Sequence, residues 1–471
     1  MTTPQRPSRD PGLRAGALPS FTPALRVMRE RSSRPGVTRI VLKLAGPAVI
    51  EQVLFAGVDL TDLFIVGHLG AAALSAVGLT GQVVMLSLAF FGAIAVGCMA
   101  LVARHVGAGE RAEAGRVLQQ ALLAAIVLGT ITGILVGILA PDILRLLGAE
   151  PEVIQLGAPF MRVIAVSLPL TAIALASTAA MRAAGNTRTP MQLTGLQLIV
   201  NAVLGLALVY GPSQLGVLGS GMATMVARSA TGALAVWLLW HNRGELRLVN
   251  GGWKPDAGRL KRILNIGLPA GAEQVLLQFA LISLVTVITG LGTVTFAAHN
   301  VSLRIMSLSY LPGWGFAVAA TALVGQSLGA GDARRAQESA YAAFRLALSV
   351  MLVMAAVLYF LAEPILRVFT SEPGVIAASI SAIHIAAFSQ PAMAASFVFS
   401  GALRGAGDTR ATLVITVVSI WTVRLGLAYL GATVLGWGLA GAWLGILGDF
   451  VVRALLFWLR FRAGKWQTMK V

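Results

Sequence analysis

The chain has 471 residues, 57% of them hydrophobic and only 12% charged, with a mean hydropathy of +0.81, where a soluble domain carries about 25% charged residues. That balance excludes an ordinary water-soluble protein and leaves one integral membrane domain. The net charge of +17 would suit a nucleic-acid binder only if the cations formed one surface, but they fall between apolar runs, so nucleic acid is excluded as a partner.

In chain order, residues 1–38 are rich in Arg, Pro and Ser and hold no apolar run. They read as a disordered basic cytosolic tail able to touch anionic lipid, not as a cleaved signal peptide. Translation starting at Met28 would remove most of it. Twelve apolar runs then meet the roughly 20-residue length of a membrane-spanning helix: 40–67, 72–103, 117–140, 152–180, 190–211, 215–240, 262–289, 293–325, 339–362, 374–402, 411–433 and 436–460. They divide into an N-terminal lobe, 39–240, a linker, 241–261, a C-terminal lobe, 262–460, and a cytosolic C-terminal tail, 461–471. The linker, within "HNRGELRLVNGGWKPDAGRLKR", is expected to be a solvated connection. The single cysteine, Cys98, lies inside the second run and reads as a small packing residue.

With the N-terminus in the cytosol, 28 Lys and Arg fall in the tails and inner loops against two outside, Arg145 and Arg367. The positive-inside rule then puts both termini in the cytosol. The expected location is the cell (inner) membrane, with a monomer as the working unit and lipid as its surroundings.

The halves repeat at one offset of 222 residues, without a gap. Pro47, Glu51 and Gln52 match Pro269, Glu273 and Gln274. "GAGE" at 107–110 matches "GAGD" at 329–332, and "RAAGNTR" at 182–188 matches "RGAGDTR" at 404–410. Six helices per repeat is an even number, so the halves share one orientation about an axis along the membrane normal. The fold class is therefore all-α, with twelve transmembrane helices in two parallel-related six-helix lobes around a central cavity.

The first span contains Glu51, Asp59 and Asp62, each costing roughly 2.5–3.5 kcal/mol to insert on translocon scales. At 100° per residue Asp62 lies about 20° and Asp59 about 80° from Glu51, so all three share a face. They read as a ladder for protons or cations. Glu51 has a counterpart in Glu273, which joins the three acids as an ion-coupling candidate, whereas Asp59 and Asp62 correspond to Leu281 and Leu284, which marks the Asp pair as specific to one lobe. Asn201 is a candidate companion ligand, and Arg304 is a candidate counter-charge for Glu273. Asp449, Arg453 and Arg424 read as a structural ion-pair group. Pro47 and Pro269, one turn before the glutamates, are candidate hinges. "YLPGWGF" at 310–316 is expected to break the eighth span and to supply Tyr310 and Trp314 to a cavity wall, with Gln52 and Gln274 as further candidates. The inner-loop motifs read as helix stops and surface cations. His299 and His384 read as packing residues.

"DLFIVGHLG" at 62–70, the paired "P…EQ" helices, "VGAGE" and "LGAGD", and the two RxxGxTR loops together resemble the multidrug and toxic compound extrusion (MATE) family, in its prokaryotic DNA-damage-inducible branch. The resemblance implies a V-shaped pair of lobes that expels bulky, often cationic or aromatic, drug-like compounds by alternating access, driven by protons or sodium. Its first-helix Asp falls on Asp62 and its fifth-helix Asn on Asn201. Part of the family has an Asp four residues after that Asn, where this chain has Gly205. Asp59 or Glu51 would then replace the missing carboxylate. Protons are favoured over sodium, and no other cofactor or metal is expected.

Other classes fit the residues less well. A lipid-linked-sugar flippase of the same superfamily calls for a larger cationic cavity. A major-facilitator transporter calls for a different loop after the second helix. A channel calls for a ring of equivalent ligands. An intramembrane enzyme could use a buried Asp pair, but the sequence shows no Walker A pattern, no metal-spaced His/Cys set and no Ser/His/Asp arrangement, so an enzyme is not expected.

Overall fold

In a computed structural model, described over residues 35–212, 214–241, 246–249 and 252–469, the chain runs as twelve long helices. The first lobe comprises α1 (Pro35–Gly67), α2 (Ala71–Gly107), α3 (Arg111–Ile138), α4 (Pro151–Ala183), α5 (Arg188–Tyr210) and α6 (Gly216–His241). The second comprises α7 (Ala257–Thr289), α8 (Thr293–Gly329), α9 (Ala333–Phe360), α10 (Pro373–Gly405), α11 (Thr409–Val434) and α12 (Gly438–Arg462). Among the described residues, eleven of these are long and apolar enough to cross a membrane. The other, α1, has 33 residues and reaches about 50 Å at 1.5 Å per residue.

The repeat is visible in the smallest details. A short helix precedes the fourth helix of each lobe, Ala140–Leu146 and Ala362–Phe369, and each carries one outer arginine in a local ion pair, Arg145 with Asp142 and Arg367 with Glu363. In "GAGE" and "GAGD" the second glycines, Gly109 and Gly331, turn the chain at φ 77° and 74°, a left-handed geometry that side chains disfavour. The new helix after Gly331 is capped by Asp332, which accepts from Arg335 N at 2.8 Å. Outer faces such as Ile131, Ile134, Leu135 and Ile138 of α3 stay more than half exposed, as lipid-facing helices require.

The lobes meet through α1 and α2 against α7 and α8. A Cβ at Gly97 or Gly267 of this interface would strike a backbone carbonyl of Ile263 or Ala93, and one at Gly315 would strike Val49. Where α2 and α8 end, Gly107 sits on the carbonyl of Gln326 and Gly329 on that of Arg104, positions that the repeat makes equivalent. All these approaches lie in the halves of the helices nearest the chain ends. Arg104 Nη2 also donates to the Met469 carbonyl there at 2.9 Å, and Gln326 Nε2 to the Ala183 carbonyl at 2.7 Å. The lobes are thus closed on the face that carries the termini and diverge toward the opposite face, as a V.

Several expectations are corrected. The tail expected over 1–38 shortens, because α1 begins at Pro35; residues 1–34 lie outside the described residues. "YLPGWGF" does not break α8, which is helical from Thr293 to Gly329. One missing amide bond is absorbed within the bundle, and Gly313 and Gly315 serve close packing against Phe397 and Val49. Helices α1 and α7 are continuous through Pro47 and Pro269, which a hinge permits, since a proline can bend a helix without ending it. Helix α11 carries two π-helical turns, Ser419–Arg424 and Leu430–Val434, which the apolar pattern did not reveal.

The linker, where described, is docked on α3 through its backbone while Arg247, Trp253, Lys254 and Pro255 remain exposed. Buried Gln119 donates to the Val249 carbonyl at 2.8 Å, and buried Gln120 donates to those of Gly252 and Lys254 at 3.0 and 2.8 Å while accepting from Asp256 N at 2.9 Å. Asp256 then caps α7 by accepting from Arg259 N at 3.0 Å, and that bond holds its carboxyl below the ordinary range. Two buried amides therefore supply what a polar sequence otherwise takes from water.

Candidate functional site

Two cavities flank the cleft between the lobes. The first, of about 520 Å³, is walled by α1, α2, α4 and α6, with Gln278 of α7 and Arg304 of α8 reaching across from the other lobe. The second, of about 550 Å³, lies within α7, α8, α10, α11 and α12.

Of the three acids of α1, Glu51 and Asp62 are described with their side chains. Glu51 and Asp62 are about 16 Å apart along the helix and belong to different surroundings. Glu51 is buried and accepts from Arg182 Nη1 at 3.0 Å, while Arg182 Nη2 donates to Thr178 at 3.0 Å. The equivalent Glu273 accepts from Arg404 Nη2 at 2.8 Å, Thr416 at 2.8 Å and Thr412 at 3.1 Å. Arg404, and not Arg304, is therefore the counter-charge of Glu273. Arg182 and Arg404 open the two RxxGxTR motifs, so these arginines turn into the bundle instead of resting at the membrane surface. A charge pair removed from water in this way stands only with good geometry, and it is repeated in both lobes.

Asp62 is held differently. Half-buried on the wall of the first cavity, it accepts from Asn201 Nδ2 of α5 at 3.1 Å and from Thr224 Oγ1 of α6 at 3.2 and 3.3 Å. Asn201 also donates to Thr224 at 2.9 Å, and among the described residues its buried Oδ1 has no hydrogen-bond partner. The repeat places Leu284, Val423 and Ile446 at the three corresponding positions, so the whole arrangement belongs to the first lobe. Gly205 is packed against Ile65, whose Cδ1 stands 2.6 Å from the place of a Cβ. Ile65 occupies the space that the family's second carboxylate would need. Asp59 lies on α1 one turn before Asp62, and its side chain is outside the described residues.

Sequence reasoning missed Thr224, Arg228 and Gln278, all on the wall of the first cavity. Thr224 and Arg228 carry a signal that was there to read: each is polar in one repeat and apolar in the other, facing Ile446 and Phe450. Among the candidate wall residues, Gln274, Tyr310, Trp314 and Arg304 line the second cavity and Arg304 lines both, whereas Gln52 lines neither. Tyr310 and Trp314 pack on Phe397 with ring centroids 5.8 and 5.7 Å apart.

The second lobe has its own charged group. Asp449, fully buried, accepts from Arg424 Nη2 and Arg453 Nη2 at 2.6 Å each and from Ser419 at 2.7 Å. Arg424 ends the first π-turn of α11, which aims it at α12. In the first lobe these positions are Ala202, Ala227, Thr231 and Gln197. His299 is buried and accepts on Nδ1 from Trp443 Nε1 at 3.2 Å, while His384 packs on Tyr359. Among the described residues no three His, Cys, Asp or Glu side chains are grouped to hold a metal.

The sequence matches the MatE family model twice, over residues 47–207 and 269–430, with starts separated by the repeat offset. The chain belongs to the MatE family. It is 30% identical to a "Probable multidrug resistance protein NorM" of Thermotoga maritima, over 93% of this chain and 95% of that one. It is 28% identical to the "Multidrug resistance protein PmpM" of Pseudomonas aeruginosa, over 93% and 94%. A solved MATE transporter of the MOP superfamily, described as outward-facing, superposes with a TM-score of 0.87 at 23% identity, covering 92% of this chain and 97% of that chain. That structural likeness establishes the fold: the MatE protein is a multi-pass membrane protein of two six-helix lobes.

Proposed function

We propose that this MatE protein is an antiporter that expels bulky aromatic or cationic drug-like compounds by alternating access, with Asp62 as the coupling carboxylate. The observation that carries the reading is the Asp62, Asn201 and Thr224 group on the wall of an open cavity, present in one lobe and replaced by three aliphatic residues in the other. The multidrug relatives supply the substrate class.

The geometry favours a proton as the coupling ion. Ionised, Asp62 accepts from Asn201 Nδ2 and Thr224. Protonated, it becomes a donor, and a flip of the Asn201 amide would offer it the Oδ1 that has no partner among the described residues. Each protonation state thus has a satisfied arrangement, and a change in affinity between them is what a coupled conformational switch needs. Sodium would have to recruit the same three side-chain oxygens and several more. Glu51 and Glu273, paired with arginines, brace the lobes, and Pro47 and Pro269 one turn away are proposed bending points. The Lys and Arg bias supports a cytosolic location for the closed face and both termini, with the cleft opening outward, and the presence of both cavities in one chain supports a monomer as the working unit. A lipid-linked-sugar flippase is disfavoured by the family match and the multidrug relatives.

The test is dye efflux from proteoliposomes with pH and sodium gradients imposed separately. The wild type should respond to the pH gradient, and Asp62→Asn should abolish efflux while the protein still inserts and folds. Undiminished efflux by the variant would remove Asp62 from coupling. A response to the sodium gradient alone would transfer the site to sodium.

A further inference from the structure

Resting on the export reading above, we infer that the cavity of the second lobe selects aromatic compounds bearing a negatively charged group, zwitterions included, over their neutral or cationic counterparts.

The charge balance of its wall carries the inference. Arg304, Arg404, Arg424 and Arg453 all line this cavity. Two carboxylates answer these four guanidinium groups: Glu273 pairs with Arg404, and Asp449 is shared by Arg424 and Arg453. Asp449 has nothing left to offer, because one oxygen takes both arginines and the other takes Ser419. Among the described residues no carboxylate pairs with Arg304. Two positive charges therefore remain, and a guanidinium cannot discharge them by losing a proton. His299 adds no charge of its own, since indole is only a donor and the Nδ1 that accepts from Trp443 carries no proton.

Such a surplus inside low-dielectric walls attracts an anion and repels a cation more strongly than it would in water. The rest of the wall suits an aromatic body. Tyr310, Trp314 and Phe397 form one packed face, and Phe450 lies under Arg453 and Arg424 at 4.5 and 5.3 Å from its ring centre. At about 550 Å³ the space is of the size that holds a drug-like molecule. Arg304 lines the first cavity as well, so it stands between the carboxylate-bearing and the cation-rich halves of the cleft.

The discriminating probes are rhodamine B, which keeps a free carboxylate, and its ethyl ester, in which that group is masked. Affinity for the purified full-length protein is read by fluorescence anisotropy, and efflux is read from proteoliposomes. The carboxylate dye should bind about tenfold tighter, the scale of one charge-assisted hydrogen bond. Arg304→Gln breaks no ion pair and should erase most of that preference, while Arg304→Lys should keep part of it. Equal or tighter binding of the ester, failure of both dyes to bind, or a preference unchanged in Arg304→Gln would overturn the inference. A carboxylate preference in binding without efflux of either dye would uphold it while removing the export reading. Efflux of both dyes without preference would do the reverse.

Discussion

The two lobes share a backbone plan and divide the chemistry between them. Each holds a buried glutamate in its first helix against an arginine at the end of its fourth, Glu51 with Arg182 and Glu273 with Arg404. Beyond that pair they part. Where the first lobe places Asp62, Asn201 and Thr224, the second has Leu284, Val423 and Ile446; where the second builds its Asp449 cluster, the first has Ala202, Ala227, Thr231 and Gln197. A contact kept in both copies holds helices together whichever cavity it borders. A polar group kept in only one has to be explained by what that cavity handles.

The comparison can be broken at its strongest point first. Asp449→Leu would leave two buried guanidiniums without their carboxylate, and removal of one partner from a buried pair costs roughly 3–5 kcal/mol. Loss of a monodisperse peak in detergent is expected; an unaltered melting temperature would mean that the cluster bears no structural load. Glu51→Gln and Glu273→Gln should each cost about 3 kcal/mol by the same logic, measured as thermal unfolding of the purified variants. The first should be the more tolerant, because Glu51 has fewer partners and one of its oxygens has none. Unequal effects in the opposite order would show that the pairs are not equivalent braces. The smallest effect on stability should come from Thr224→Val, about 2 kcal/mol for the two hydrogen bonds lost, to Asp62 and from Asn201. Its mark is expected in transport, as a displaced pH at half-maximal efflux. An unchanged pH profile would detach Thr224 from the coupling group.

Much of this division was legible in the sequence, because the repeat is a comparison built into the chain. The offset that relates Glu51 to Glu273 also shows Asp62 alone, and the apolar runs place the twelve long helices to within six residues at either end, though not the two short helices Ala140–Leu146 and Ala362–Phe369. It did not show where the glutamates' charges go. Arg182 and Arg404 sit in loop motifs whose bland reading is surface charge, and only the fold brings the end of α4 against the middle of α1. Thr224 was hidden for a different reason: threonine is unremarked in a membrane helix, and its role depends on a neighbour 162 residues away. The linker misled because its composition is polar, while its hydrogen bonds are supplied by Gln119 and Gln120 from within a span.

The crossing of Gly107 and Gly329 has a further consequence. The contact there is main chain on main chain, tied on either side by Arg104 to the Met469 carbonyl and by Gln326 to the Ala183 carbonyl, so parting it gives up two side-chain hydrogen bonds and a close backbone fit. A backbone-to-backbone seam leaves little room between its surfaces, which is what the proposed antiporter would need on its closed side to keep its ion gradient from short-circuiting. Any side chain at either position would wedge the seam, and the protein would stand permanently ajar.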